Sequence, residues 1–408
     1  MLKQGALLQV KPWVTRTLKS TLVSALLCLS ISGCNSDNDD SLNAIDKAKM
    51  QQTVAQLAQD MLVPGAVVIL HTPKGNFEYT YGVSSYNGNE PTDFNQHLRI
   101  GSNTKTWVGT IILQMVQEGK LKFDDPVSLY WQNVPGGERI TIENLLAMES
   151  GLYNYTTTLT LNQTLDEDPT KAWLQEELLK LSFDNALDFE PGTAFGYSNT
   201  NTVLLGLIAQ LLDGSDLPEI MQRRLFTPLG MTKTLFPEIT DNELPQPYTH
   251  GYMYGTNVET MDSALPEPMQ QAARNGEITP GDQTLANPSW GWAAGAGIST
   301  ARELLIWVEA LVGGELLNDE MQKLRLSSVK PINPGDPNTA SYGLGIAKFG
   351  QLYGHTGELP GYNSFMGHDP ENKVSLVVWT NMAPSVDGRD PATTIAAALI
   401  NQLYSATN

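Results

Sequence analysis

A chain of 408 residues, 41% of them hydrophobic, can bury a large core in one large domain or in two interleaved ones. Its formal net charge of −19 would repel a phosphate backbone, so the composition argues against nucleic-acid binding. The charge does not identify a substrate, because a well-solvated acidic surface is sufficient to explain it.

The N-terminal segment has the pattern of an export signal. Basic residues precede an apolar stretch from Leu22 to Ile31, which is too short to anchor stably across a bilayer, and Ser-Gly-Cys34 follows. This order resembles a bacterial lipoprotein processing site. Cleavage there would also remove Cys28, so the mature chain could form no internal disulfide. We expect residues 1–33 to be a lipoprotein signal peptide and Cys34 to carry the lipid of an exported, membrane-anchored protein that faces the periplasm; an ordinary cleaved signal is the alternative.

The elements that follow predict an α+β fold. Residues 34–44 are polar and acidic and resemble a flexible tether. Beyond them, helical spacing predicts a helix near residues 50–61, and β-branched stretches with turn residues predict a hairpin of residues 65–70 and 77–82. The middle of the chain, residues 102–239, is predicted to be mostly helical. The C-terminal part is predicted to form strands at 342–349, 362–368 and 374–380 and a last helix at 391–404. We therefore expect one antiparallel sheet built from both termini and flanked by helices (45–101 and 290–408), with an inserted, mainly helical subdomain (102–289).

The first chemical motif is Gly101-Ser102-Asn-Thr-Lys105. Ser102 is predicted to be the N-cap of a helix that ends near Gly119, so Lys105 would emerge on the same face of its first turn. A serine hydroxyl needs a base to take its proton, and a lysine can serve if burial or positive charge lowers its pKa. A second Ser-x-x-Lys match, Ser327 to Lys330, is rejected because Pro331 prevents the helix from continuing.

Two further motifs support this chemistry. Tyr197-Ser-Asn199 is predicted on a loop just before a helix, where the tyrosine could transfer a proton if a neighbouring ammonium lowered its pKa. Asn199 could bind a substrate amide. His355-Thr356-Gly357 is predicted on a strand edge beside which a substrate backbone could lie.

Together and in this order, the three motifs resemble those of the serine β-lactamase and D-alanyl-D-alanine peptidase family. The likeness extends through residues 99–105, 118–125, 140–155, 189–207, 290–300 and 342–365, and covers roughly residues 45–405. It is greatest to soluble D-alanyl-D-alanine carboxypeptidases with histidine in the third motif, whereas class C β-lactamases usually carry lysine there.

The resemblance implies a role for each matching residue. Ser102 would become acylated, while Lys105 and Tyr197 share the proton transfers. The backbone amides of Ser102 and Glu358 would form the oxyanion hole. The cleft would be lined by further residues of the three motifs and by one aromatic residue: Asn199, His355, Thr356, Gly357 and Trp290. The Glu358 side chain could favour a cationic substrate group or point to solvent.

The expected function is that of a D-alanyl-D-alanine carboxypeptidase that acts on cell-wall peptides through an acyl-enzyme, without a metal or cofactor. A class C-like β-lactamase, an esterase of the same fold and a non-catalytic, lipid-anchored binding module remain alternatives. The absence of a Gly-x-Ser-x-Gly sequence argues against an α/β-hydrolase, and the absence of a His-x-x-x-His pair argues against a metallohydrolase.

Overall fold

The computed structural model describes residues 42–261, 264–336 and 339–404. The predicted signal peptide, Cys34 and most of the predicted tether lie outside the described residues. Leu42 is buried and pairs with Tyr404, and the Asn43 amide donates to the Leu403 carbonyl. The folded domain therefore includes these two residues, slightly upstream of the boundary expected at residue 45.

The described residues form twelve strands, which include the predicted hairpin and the strands predicted at 362–368 and 374–380, with one exception among the predicted strands. In chain order they are β1 (Gly65–Thr72), β2 (Gly75–Gly82), β3 (Leu98–Arg99), β4 (Tyr252–Met253), β5 (Gly281–Asp282), β6 (Ile298–Ser299), β7 (Lys330–Pro331), β8 (Ser341–Tyr342), β9 (Ala347–Phe349), β10 (Leu352–Leu359), β11 (Tyr362–Asp369) and β12 (Val374–Thr380). The exception is the single strand expected at 342–349. It is split into β8 and β9 because Gly345 has a φ of +65°, which turns the chain between them.

One large antiparallel sheet organises the described residues. It has eight strands in the order β2-β1-β12-β11-β10-β9-β8-β7. Strand β1 pairs with β12, with Ala66 opposite Thr380, so the N-terminal and C-terminal strands are neighbours as the sequence predicts. This mixed architecture confirms the expected fold class.

Helices cover both faces of the sheet. They are α1 (Lys47–Asp60), α2 (Thr104–Gln117), α3 (Ile142–Leu146), α4 (Leu159–Glu167), α5 (Gln175–Phe183), α6 (Asn199–Asp213), α7 (Leu217–Met221), α8 (Asn257–Thr260), α9 (Glu267–Arg274), α10 (Ala301–Gly313), α11 (Asp319–Ser327) and α12 (Pro391–Leu403). In the described part of the chain, none of them combines the length and the hydropathy that crossing a bilayer would require.

Alternate side chains of β1 face opposite sides of the sheet, so the core has two layers. Ala66 and Val68 pack into a cluster with α1 and α12, whereas Val67 and Ile69 face a larger cluster that contains α2, α6 and α10. Helix α2 is therefore buried in this larger cluster, where it packs against α6, and its N-terminus lies beside β10. This position brings the first motif to the third.

Candidate active site

Ser102, the predicted nucleophile, lies on a tight turn that packs against β10. Residues Gly101–Asn103 form a 3-10 turn that leads into α2, so Ser102 lies within this turn and the prediction that it is the helix N-cap is wrong. Gly101 has a φ of +55°, and a Cβ there would lie 2.4 Å from the Glu358 nitrogen. A Cβ on Gly357 would lie 1.8 Å from the Ile100 oxygen. Both glycines are thus required by the close approach of turn and strand.

Lys105 is buried with three polar partners around its amine. Its Nζ lies 2.9 Å from Ser102 Oγ, 2.6 Å from Asn199 Oδ1 and 2.7 Å from the Ala294 carbonyl oxygen. We call these three atoms the lysine pocket. Burial lowers the pKa of Lys105 well below its usual value, because the pocket contains no carboxylate to stabilise the ammonium.

The lysine pocket also orients the neutral amine. Asn199 Oδ1 and the Ala294 carbonyl can only accept hydrogen bonds, so they take the two N–H groups of an uncharged Lys105. The remaining lone pair then faces Ser102 Oγ, 2.9 Å away, which is the distance expected of a general base. The arrangement can therefore activate the serine as a nucleophile.

Tyr197 lies beside the same lysine and serine. Its ring centroid lies 4.9 Å from Lys105 Nζ, and its hydroxyl interacts with the Ser102 side chain, which acts to lower its pKa. Burial raises the pKa of Tyr197, so the lowered pKa required for a tyrosinate base is not found here. In this state the tyrosine is suited to donate a proton and the lysine to accept one.

Asn199 begins α6, as the sequence predicts, but its amide is occupied within the protein. Its oxygen accepts from Lys105, while its Nδ2 lies 3.1 Å from Thr156 Oγ1 and 3.3 Å from Asn154 Oδ1. These bonds fix the rotamer of Asn199 and hold its oxygen towards the lysine. Its observed contacts are those of a residue that orients Lys105, and the expected contact with a substrate amide stays a prediction.

His355 is a buried, neutral residue of β10. Its Nδ1 lies 2.6 Å from the Thr356 carbonyl oxygen, which can only accept, so Nδ1 carries the proton. Its Nε2 then accepts from the Tyr342 hydroxyl at 3.2 Å. Burial is the main cause that lowers the pKa of His355 to about 3, and Lys105 adds to this shift only when it is protonated. The third motif therefore supplies no positive charge from this side chain.

The remaining predicted residues lie on β10 and at the end of a 3-10 turn, Pro288–Trp290. Alternation along β10 leaves Thr356 and Glu358 partly exposed, whereas His355 and Gly357 are buried. Trp290 is half-buried, and its carbonyl accepts from the Tyr155 hydroxyl at 2.7 Å. The rejected Ser327–Lys330 copy plays no part in the site, since Lys330 is an exposed partner of Glu149.

Sequence reasoning missed two partners of the predicted site residues. The Ala294 carbonyl comes from a 3-10 turn (Trp292–Ala294), and a backbone oxygen carries no residue-specific signal. Tyr342 packs edge-to-face against Tyr197, with ring centroids 6.2 Å apart, and binds His355. Both residues lie in segments that resemble the family, 290–300 and 342–365, but the resemblance did not indicate these contacts.

Comparisons with known proteins agree with this geometry. Residues 50–400 match the family model described as Beta-lactamase. Penicillin-binding protein PbpX of Bacillus subtilis is 24% identical over 69% of this chain, and the match spans only 61% of that relative's own length. A D-stereospecific amidohydrolase from Streptomyces sp. superposes with a TM-score of 0.73 at 27% identity, covering 87% of this chain and 98% of that one. A D-amino acid amidase from Ochrobactrum anthropi SV3 gives a TM-score of 0.69 at 25% identity, with 86% and 99% covered. The chain therefore belongs to the Beta-lactamase family of serine hydrolases.

Proposed function

We propose that this protein is an amidohydrolase that cleaves the amide bond on the carbonyl side of a D-amino acid residue through an acyl-enzyme on Ser102. The lysine pocket supports the acyl-transfer chemistry. The names of the two similar solved structures, a D-stereospecific amidohydrolase and a D-amino acid amidase, support the D-configuration. The D-alanyl-D-alanine carboxypeptidase expected from the sequence is one form of this reaction.

The reaction follows from the proton positions in the site. Ser102 Oγ attacks the carbonyl carbon while its proton passes to neutral Lys105, and the new oxyanion is received by the amides of Ser102 and Glu358. The carbon–nitrogen bond then breaks. The leaving amine takes a proton through Tyr197, which recovers one from Lys105. Water hydrolyses the resulting ester by the same transfers in reverse, which releases the acid and restores Ser102.

The neutral state of His355 indicates which leaving group to expect. A carboxypeptidase must bind the terminal carboxylate of the departing residue, which a positive charge beside the third motif would favour. Both ring nitrogens of His355 are engaged inside the protein, and its lowered pKa keeps it uncharged above about pH 3. We therefore favour substrates with an uncharged leaving group, such as a D-amino acid amide, over a free C-terminal D-Ala-D-Ala.

The test compares three substrates on the mature protein with Ser102→Ala as the control. D-alanine amide, its L-enantiomer and a D-Ala-D-Ala peptide are incubated at equal concentration, and the release of ammonia or D-alanine is measured. Preferred cleavage of the D-amide supports the proposal. Preferred cleavage of the D-Ala-D-Ala peptide would instead favour the carboxypeptidase.

A second assay covers the other activities of this fold. We expect a fluorescent penicillin to acylate Ser102 and to be hydrolysed slowly, because a β-lactamase must accelerate deacylation as well, at about 1.4 kcal/mol for each tenfold. Rapid turnover of a cephalosporin would favour a β-lactamase, and cleavage of activated esters alone would favour an esterase. A protein that binds these compounds without ever forming an acyl-enzyme would be the binding module.

We also propose that the enzyme is exported and held at a membrane by a lipid on Cys34. The order of basic, apolar and Ile-Ser-Gly-Cys residues supports this location. An acidic protein gains little from electrostatic contact with anionic lipid, so an acyl anchor would have to retain it. Cys34→Ala should move the protein from the membrane fraction to the soluble fraction. Unchanged partitioning, with no lipid detected on the peptide by mass spectrometry, would contradict the proposal.

A further inference from the structure

Two adjacent residues of β11, Asn363 and Ser364, bind the two backbone segments that carry the proposed oxyanion donors. We propose that this β11 pair consists of positioning residues that fix the distance and orientation of the Ser102 and Glu358 amides. The inference rests on the proposed function, because it assigns the pair a part in stabilising the oxyanion. Both side chains are buried, at 2% and 0% exposure, so they would act through the backbone and not on the substrate.

Ser364 binds the segment that leads into the nucleophile turn. Its Oγ donates to the Ile100 carbonyl at 2.9 Å and accepts from Asn103 Nδ2 at 2.8 Å. Ile100 and Asn103 flank Gly101 and Ser102, so a single hydroxyl joins both ends of the turn to the sheet. The orientation of the Ser102 amide is thereby tied to β11.

Asn363 binds the peptide group that supplies the second donor. Its Nδ2 donates to the Gly357 carbonyl at 3.2 Å. In a trans peptide the carbonyl and the following N–H point in opposite directions, so the Glu358 N–H points away from Asn363. The nucleophile turn lies on that side, since a Cβ on Gly101 would lie 2.4 Å from the Glu358 nitrogen. A hydrogen bond to the Gly357 oxygen polarises this peptide group and strengthens the N–H as a donor.

The other end of the Asn363 amide is held by helix α12. Its Oδ1 accepts from the Ala392 amide at 2.8 Å and from the Thr393 amide at 3.3 Å, which are N–H groups of the first turn of α12. The N-cap residue of this helix, Asp390, makes no side-chain capping bond. Asn363 thus connects the positive end of a 13-residue helix to the oxyanion donor through two successive hydrogen bonds.

The substitution Asn363→Asp separates these two roles. Aspartate retains an oxygen that can accept from α12, but it has no N–H to give to the Gly357 carbonyl. Asn381 provides a matched control, because it is also buried, accepts from the Gly65 amide at 2.7 Å and donates to the Val83 carbonyl at 3.2 Å. Asn381→Asp makes the same chemical change away from the nucleophile turn. Ser364→Ala is the second test variant, and it introduces no charge.

The readouts are kcat and KM for the amide substrate, the inhibition constant of an arylboronic acid and the thermal midpoint. The boronic acid forms a tetrahedral adduct with the nucleophilic serine and presents an oxygen to the same donors. We expect Asn363→Asp and Ser364→Ala each to lower kcat and boronic acid affinity by about tenfold or more, with KM nearly unchanged, since losing a whole oxyanion donor costs about 10²–10³-fold. Asn381→Asp should lower the thermal midpoint without changing kcat or the inhibition constant of the boronic acid.

The outcomes distinguish this inference from the substrate proposal. If kcat falls in the β11 variants while boronic acid affinity stays at the wild-type value, or if Asn381→Asp has the same effects, the pair has only a structural role and the inference is overturned. It is also overturned if the wild-type protein does not bind the boronic acid. A wild-type protein that binds it but cleaves no D-amino acid amide contradicts the proposed substrate, while the boronic acid comparison still decides the role of the pair.

Discussion

The most direct test of Lys105 as the general base is to place a carboxylate in the lysine pocket. Asn199→Asp is nearly isosteric and puts a negative charge where an amide oxygen lies 2.6 Å from Lys105 Nζ. The wild-type pocket is neutral, and burial alone lowers the pKa of Lys105. The new carboxylate would stabilise the ammonium and thus remove the base.

The size of the effect follows from the distance and the burial. An opposite charge within about 4–6 Å favours the charged form of a group by about 10- to 1000-fold. Lys105 is only 2% exposed and the partner would be in direct contact, so screening by solvent is weak. We expect kcat/KM at neutral pH to fall by about 10²-fold. Because activity needs the neutral amine, it should recover as pH rises through the increased pKa of Lys105.

The assay is the pH profile of kcat/KM for a chromogenic D-amino acid amide, measured from about pH 5 to 10 to include the basic range. Asn199→Ala is the control, since it removes the same oxygen without adding charge and should not move the profile towards higher pH. A profile for Asn199→Asp that coincides with that of the wild type would refute Lys105 as the titrating base.

Three further predictions follow from the site. Lys105→Ala and Tyr197→Phe should each lower the rate of Ser102 acylation by at least about 10²-fold, and near-native acylation of both by a fluorescent penicillin would mean that the base lies elsewhere. The folded-state pKa of His355 is about 3, below its unfolded value near 6.5, so its contribution to the free energy of unfolding is present above about pH 6.5 and is lost as pH falls towards 3. His355→Gln should therefore reduce the pH dependence of the free energy of unfolding in urea between these two values. An unchanged pH dependence would show that His355 is not buried as a neutral ring. Gly357→Ala should abolish acylation or folding, because the added Cβ would lie 1.8 Å from the Ile100 oxygen; a stable and active variant would contradict the close contact between turn and strand.

One correction to the sequence-based interpretation concerns the charge states of the predicted catalytic residues. The sequence predicted that Tyr197 could transfer a proton if a neighbouring ammonium lowered its pKa, but burial raises that pKa and lowers that of Lys105. The sequence interpretation could state this condition but not evaluate it, because desolvation depends on how the helical insertion packs over the sheet. The substrate contact expected of Asn199 stays a prediction, and the contacts of its side chain in the folded chain are with Lys105, Thr156 and Asn154.

By itself, the sequence determined what is local in the chain. Hydrophobic periodicity gave α1, the first hairpin and the terminal strands, and the three-residue spacing of Ser102 and Lys105 placed both on one side of a helical turn. The tertiary structure decided what these groups touch. Separate loops and strands supply three of these contacts: the Ala294 carbonyl that completes the lysine pocket, the Tyr342 hydroxyl that is hydrogen-bonded to His355, and the Asn363 amide that donates to the Gly357 carbonyl. Backbone carbonyls have no identity in a sequence, and a buried amine acquires its charge state only from the atoms that the complete fold brings around it.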